Sequence, residues 1–157
     1  MEQEIINQGK NHFKNQWYCA ESVLLALSDA AGIKSEFIPK IATGFCAGLA
    51  RNNGICGAVT GGILAINLMT GRDNPEASVD NNYKMVEKLQ QVFEAKFYST
   101  NCFELTNCDF TKPEGSIKFK RDNVKDKCTE MVGETIQIVL DIFKEFGVEP
   151  FAKNLGH

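Results

Sequence analysis

Histidine is almost missing from this chain: 157 residues contain two, His12 and the terminal His157. With one internal imidazole there is no histidine pair to bind a metal and little to serve as the base of a hydrolase. Basic runs are missing too. Seventeen lysines and arginines face twenty acidic residues, the net charge is −3, and no basic stretch is long enough to follow a phosphate backbone, so nucleic acid is not an expected partner. The longest apolar stretch, about Cys56 to Met69, is too short and too rich in glycine to span a bilayer, so no membrane association is expected. Met1-Glu2-Gln3-Glu4 is acidic and no apolar signal core follows it, which points to a cytoplasmic protein. There is no C-x-x-C pair and no C-x-x-C-H site for haem attachment. Gly44 to Gly54 has no lysine, which argues against a P-loop.

What the chain does have is cysteine and glycine. Six cysteines in a reducing compartment are not expected to be structural disulfides, so metal ligation and thiol redox chemistry come forward, beside the plainer role of small buried hydrophobes. The glycines gather between Gly44 and Gly62, in a loop that ends near Gly54 and a small, apolar helix opened by Cys56. Gly57, Gly61 and Gly62 sit inside that helix, where each costs about 1 kcal/mol relative to alanine. Two things could offset that cost: close helix packing, or room beside Cys56 for an inorganic or redox centre. On the second account Gly57 and Gly61 are cofactor-site candidates.

The rest of the pattern is helical. Gln3 to Asn15 forms a weakly amphipathic N-terminal helix within residues 1–15, with His12 at the surface or in packing. Cys19 to Ala31 is rich in alanine and leucine and stops at Gly32. Ser35 is a plausible cap for a short helix reaching about Thr43. A long helix is expected from Pro75 to about Ser99, with Val79, Tyr83, Val86, Phe93 and Phe97 at helical spacing. Ser99-Thr100-Asn101 offers caps for a short turn at Cys102. Residues 109–121 hold Pro113, Gly115 and several lysines with little periodicity, which predicts a mobile loop. The last helix runs from about Asp122 to Phe146, and 148–157 reads as a tail that ends in a mobile His157. Nothing reads as a strand. The expected fold is all-α: one domain, 1–157, of about five to six helices with a Gly/Cys-rich loop.

Cys19, Cys56 and Cys102 each fall in the first turn of an expected helix, where unpaired N–H groups and the helix dipole favour a thiolate. Cys128 reaches the core from a fourth helix. Four thiols from four helices could converge to hold zinc or an iron–sulfur cluster, or could cycle between dithiol and disulfide. Cys46 and Cys108 stand outside this set as bystanders or resolving thiols.

Cys19-Ala20-Glu21-Ser22-Val23-Leu24, Ala42-Thr43-Gly44-Phe45 leading to Cys56-Gly57-Ala58-Val59-Thr60-Gly61, then Asn101-Cys102-Phe103-Glu104-Leu105 and Cys128, resemble the C_GCAxxG_C_C family of redox-active proteins. The resemblance covers about Gly9 to Phe146, and the family's four cysteines fall on Cys19, Cys56, Cys102 and Cys128. Its partial similarity to split-Soret cytochromes implies a helical redox scaffold that could dimerise. Haem is not implied, because the attachment motif is missing. The chain departs from the family at Cys46, in a stretch where relatives tend to carry glycine, and at Cys108.

The expectation is therefore a cytoplasmic redox protein with a buried four-cysteine site. Cys19, Cys56, Cys102 and Cys128 would act as catalytic thiols or metal ligands. They would serve electron transfer through an iron–sulfur cluster, or thiol–disulfide exchange with a redox partner protein or a small-molecule oxidant or reductant. The alternative is a zinc-stabilised interaction protein without redox chemistry.

Overall fold

The computed structural model describes residues 1–149 and Phe151. Among them are eight α-helices, one 3-10 turn and no strand: α1 (Glu2–Lys14), α2 (Cys19–Ala30), the 3-10 turn (Lys40–Phe45), α3 (Cys46–Arg51), α4 (Gly57–Thr70), α5 (Asp80–Phe97), α6 (Cys102–Thr106), α7 (Pro113–Arg121) and α8 (Lys125–Glu145). The all-α fold is as expected. The helices outnumber the expected five to six because three of them, α3, α6 and α7, are short.

The core is built on α2 and α4. Ala20, Ser22, Val23, Leu24, Ala26 and Leu27 of α2 are buried, and so is every residue of α4 from Gly57 to Gly62. A β-carbon on Gly61 would stand 2.7 Å from the carbonyl oxygen of Ala20 and 2.9 Å from its Cα. One on Gly62 would stand 2.8 Å from Leu89 Cδ2 and 2.9 Å from Thr135 Cγ2. The two glycines let α4 touch α2 on one side and α5 and α8 on the other, and that packing offsets their low helix propensity. The amphipathic stripe of α8 (Val132, Ile136, Val139 and Phe143), at helical spacing, is buried against α1 and across to α4. Phe151 stacks on Phe143 with ring centroids 4.6 Å apart.

Three local expectations are corrected. The long helix begins at Asp80, not Pro75, because the Asn74 side-chain oxygen accepts hydrogen bonds from the Glu76 and Ala77 amides and holds those residues in a turn. The helix expected up to Thr43 is a run of turns followed by the 3-10 turn, whose later residues Thr43, Gly44 and Phe45 are exposed. The expected mobile loop at 109–121 contains α7. Pro113 occupies its first turn, where a missing N–H costs nothing, Gly115 lies on the backbone of Asp109, and Phe110 and Phe119 meet edge to face at 5.6 Å. Of the expected tail 148–157, Val148 packs against the core and Phe151 is buried; Pro150 and residues 152–157, His157 among them, lie outside the described residues. Among the described residues no helix is long and apolar enough to cross a membrane.

Candidate functional site

Cys19 is the first residue of α2. Its helix start is fixed by Glu21, whose carboxylate accepts the Tyr18 amide at 2.9 Å with one oxygen and the Thr43 hydroxyl at 2.9 Å with the other. This buried carboxylate ties α2 to the 3-10 turn that leads to Cys46.

Cys56 caps α4 and Cys102 opens α6, and the two helix starts are joined directly. The Cys56 amide donates to Thr100 O at 2.7 Å and the Cys102 amide to Gly54 O at 2.8 Å, forming an antiparallel bridge between Ile55 and Asn101. Asn101 reinforces it from both ends of its side chain. Its oxygen caps α6 by accepting the Glu104 amide at 3.0 Å, and its nitrogen donates to Asn53 O at 2.7 Å. Cys128 sits one turn into α8, half-buried.

The loop expected before Gly54 has an unusual backbone. From Ala47 to Arg51 five successive residues have φ between 52° and 66°. Left-handed conformation costs a residue with a side chain about 1–2 kcal/mol, and this turn carries four of them around Gly48. Gly48 O accepts the amides of Asn52 (3.2 Å) and Gly54 (2.8 Å), and the Asn52 side chain donates to the carbonyls of Leu49 and Ala50. Thr60 of α4 donates to Phe45 O at 2.9 Å and pins the entry to the turn. The turn lies directly on the cysteines: a β-carbon on Gly48 would stand 2.7 Å from Cβ and 3.3 Å from Sγ of Cys102.

Cys19, Cys56, Cys102 and Cys128 all line one cavity of about 590 Å³. Its remaining wall is largely apolar and aromatic, with Phe13, Trp17, Tyr18, Phe110, Phe119 and Met131, and Arg51, Lys120 and Lys125 also line it. Gly57 is part of the wall, and a β-carbon there would fall 2.1 Å from the Cys19 sulfur. Gly61 is not; it serves the α2–α4 crossing. Cys108 is fully buried beside Thr106 and does not reach the cavity. Cys46 is buried next to Cys19 without lining the cavity. Among the described residues, no three Cys, His, Asp or Glu side chains are grouped closely enough to hold one metal ion. Glu21, Thr60 and Asn101 support the site without having been singled out for it. Asn101 was visible as a capping residue, and Glu21 stands three residues after the cap of α2, where an acid reaches back.

The thiols are less acidic than their helix-start positions suggest. Burial pushes Cys56 up to about 11, with the Ala58 and Val59 amides pulling the other way, and pushes Cys128 up to about 12. Cys102 is also raised by burial, against the Thr106 hydroxyl. At Cys56 and Cys102 desolvation outweighs the helix N-terminus, and at Cys128 burial and the neighbouring thiols act together, so these three stay protonated at neutral pH when metal-free.

A family profile described as "Putative redox-active protein (C_GCAxxG_C_C)" matches residues 17–142. The chain belongs to the C_GCAxxG_C_C family. The matched span contains all four cavity cysteines, together with the left-handed turn and α7. The chain is also similar to an Archaeoglobus fulgidus protein described only as "Uncharacterized protein", with 28% identity over 152 residues and 90% of each chain covered. No solved structure matches.

Proposed function

We propose that this C_GCAxxG_C_C protein is a cytoplasmic electron carrier whose Cys19, Cys56, Cys102 and Cys128 hold an iron–sulfur cluster. One observation carries the proposal: four thiols from four helices line a single cavity of about 590 Å³, yet no three are grouped for one ion. A structural zinc needs its sulfur ligands about 2.3 Å from one point, which this arrangement does not offer. A polynuclear group bridges wider-set thiolates and fits better. When bound, such a cluster supplies one-electron transfer.

The chain's own residues supply the rest. The Ile55–Asn101 bridge fixes Cys56 and Cys102 relative to each other. The Ala47 N–H donates to Cys19 Sγ at 3.4 Å, and the Ala58 and Val59 amides point at the Cys56 sulfur. Hydrogen bonds of this kind stabilise negative charge on ligating sulfur and tune its potential. Gly57, without a side chain, makes room for the Cys19 sulfur. In the aromatic wall, half-exposed Trp17 and Tyr18 mark where a redox partner protein or a small oxidant or reductant would approach.

Iron, acid-labile sulfide and visible absorption on protein purified strictly without oxygen test this. The expected result is a brown protein with both elements, and loss of both in Cys56→Ser. Bound zinc without colour, or a colourless protein that takes up no iron and sulfide on anaerobic reconstitution, would overturn it.

A further inference from the structure

Cys46 lies outside the family's four cysteines, and the fold places it against one of them. The two are brought together where the 3-10 turn passes the start of α2. The amide of Ala47, the next residue, donates to Cys19 Sγ at 3.4 Å. A β-carbon placed on Gly57 would stand 3.2 Å from Cβ of Cys19 and 3.2 Å from Cα of Cys46, so both cysteines converge on the same point of α4. The pair is also asymmetric. Cys19 is half-buried and lines the cavity, whereas Cys46 is 2% exposed, does not line it, and turns its sulfur to Ala42 O at 3.5 Å.

The geometry points to Cys19 and Cys46 as a second redox site, at which hydrogen peroxide entering by the cavity forms a reversible disulfide. Cys19 is the thiol attacked first. It faces the cavity and so meets the peroxide first, whereas Cys46 is buried and does not line it. Its thiolate attacks one peroxide oxygen, the O–O bond breaks, and the departing hydroxide takes up a proton as water, leaving Cys19 as a sulfenic acid. The Cys46 sulfur then attacks that sulfur, the S–O bond breaks, and a second water leaves. Two thiols and one peroxide become one disulfide and two waters, and the two electrons lost by sulfur reduce the peroxide. A dithiol reductant restores the pair by exchange.

The pairing is independent of any cluster. Its consequence, that Cys19 in a disulfide is withdrawn from the four-thiol set, rests on the function proposed above.

The experiment treats reduced, metal-free full-length protein with hydrogen peroxide, blocks remaining thiols, and maps cross-linked peptides by mass spectrometry. The expected product has lost the mass of two hydrogens, is linked Cys19 to Cys46, and reverts with a dithiol. Cys46→Ser keeps a donor for Ala42 O and is expected to fold, to lose the link and to leave Cys19 as a trappable sulfenic acid. Cys108→Ser is expected to keep the link. A first-formed link between any other two cysteines, or no link, would overturn the pairing. Iron uptake is then compared before and after peroxide. The consequence predicts uptake by reduced protein and none by oxidised protein until reductant is added; equal uptake by both overturns it. No uptake by either overturns the cluster while a mapped Cys19–Cys46 link still stands.

Discussion

Gly57 shows how narrowly the site is drawn at the residue scale. It faces Cys19 at a distance that leaves no space for a methyl group, since an added β-carbon would fall 2.1 Å from the sulfur. Gly57→Ala must push the thiol or the helix start away. Overpacking of this kind typically costs about 1–3 kcal/mol. The expected outcome is a lower thermal midpoint together with, on the function proposed above, loss of iron from the purified protein. Gly61→Ala is the informative comparison, because its β-carbon would meet the Ala20 backbone one turn further along the same face of α4, outside the cavity wall. It should lower the midpoint and leave the iron-to-sulfide ratio of the folded fraction unchanged. Equal loss of iron in both variants would show that Gly57 acts only through packing. The sequence marked both glycines as candidates because they share a helix, and only the crossing of α2 and α4 separates their roles.

Among the elements, the left-handed turn and α7 were the hardest to foresee. Ala47, Leu49, Ala50 and Arg51 have no preference for positive φ, so nothing in their identity predicts the conformation that the surrounding hydrogen bonds impose. Pro113 and Gly115 read as helix breakers, yet one stands in the first helical turn and the other where the chain crosses Asp109. By contrast, the starts of α2, α4 and α6 were legible, and with them three of the four cavity cysteines. The turn and the α7 segment are tied together by Asp109, whose carboxylate accepts the Asn53 side-chain amide at 3.0 Å as well as the Thr111 amide and hydroxyl. The Thr111 hydroxyl first and the Asn53 amide second hold this carboxyl down at about 2, from an ordinary 3.8. A depressed carboxyl stabilises above its unfolded value and loses that contribution as pH falls through its folded one. The tie is therefore expected to be intact above about pH 4 and to weaken between about 4 and 2. The check is the carboxyl carbon shift of Asp109 across that range, with amide exchange at Gly54 following it. Asp109→Ala should show the fast exchange already at neutral pH.

Over the whole molecule, the cavity is assembled from residues far apart in the chain, from Phe13 to Met131. Helix-start patterns found the thiols but not their protonation state, because burial depends on packing that no local pattern shows. The same packing places α1 against α8 and closes the bundle across its sequence ends. The cavity wall is uneven in its support, however. Four of its residues, Phe110, Ser116, Phe119 and Lys120, come from the segment around α7, in which Gly115 is the only buried residue of the helix and which takes no part in the main helix pairings. That segment is secured by contacts close by: Phe110 with Phe119, Lys112 with Asp109, and Asp109 with Asn53.

A wall held by nearby contacts can open while the bundle stays folded, with a free energy below that of global unfolding. The reactivity of the cavity thiols is then a property of a small subglobal transition. In metal-free protein, alkylation of Cys56 should change little with added urea below the unfolding transition, as expected for an opening that exposes little surface. Alkylation of Cys46, buried in the main core, should follow the full denaturant dependence of the bundle. The protein would thus have two stabilities, one that keeps it folded and a smaller one that sets how often solvent meets sulfur.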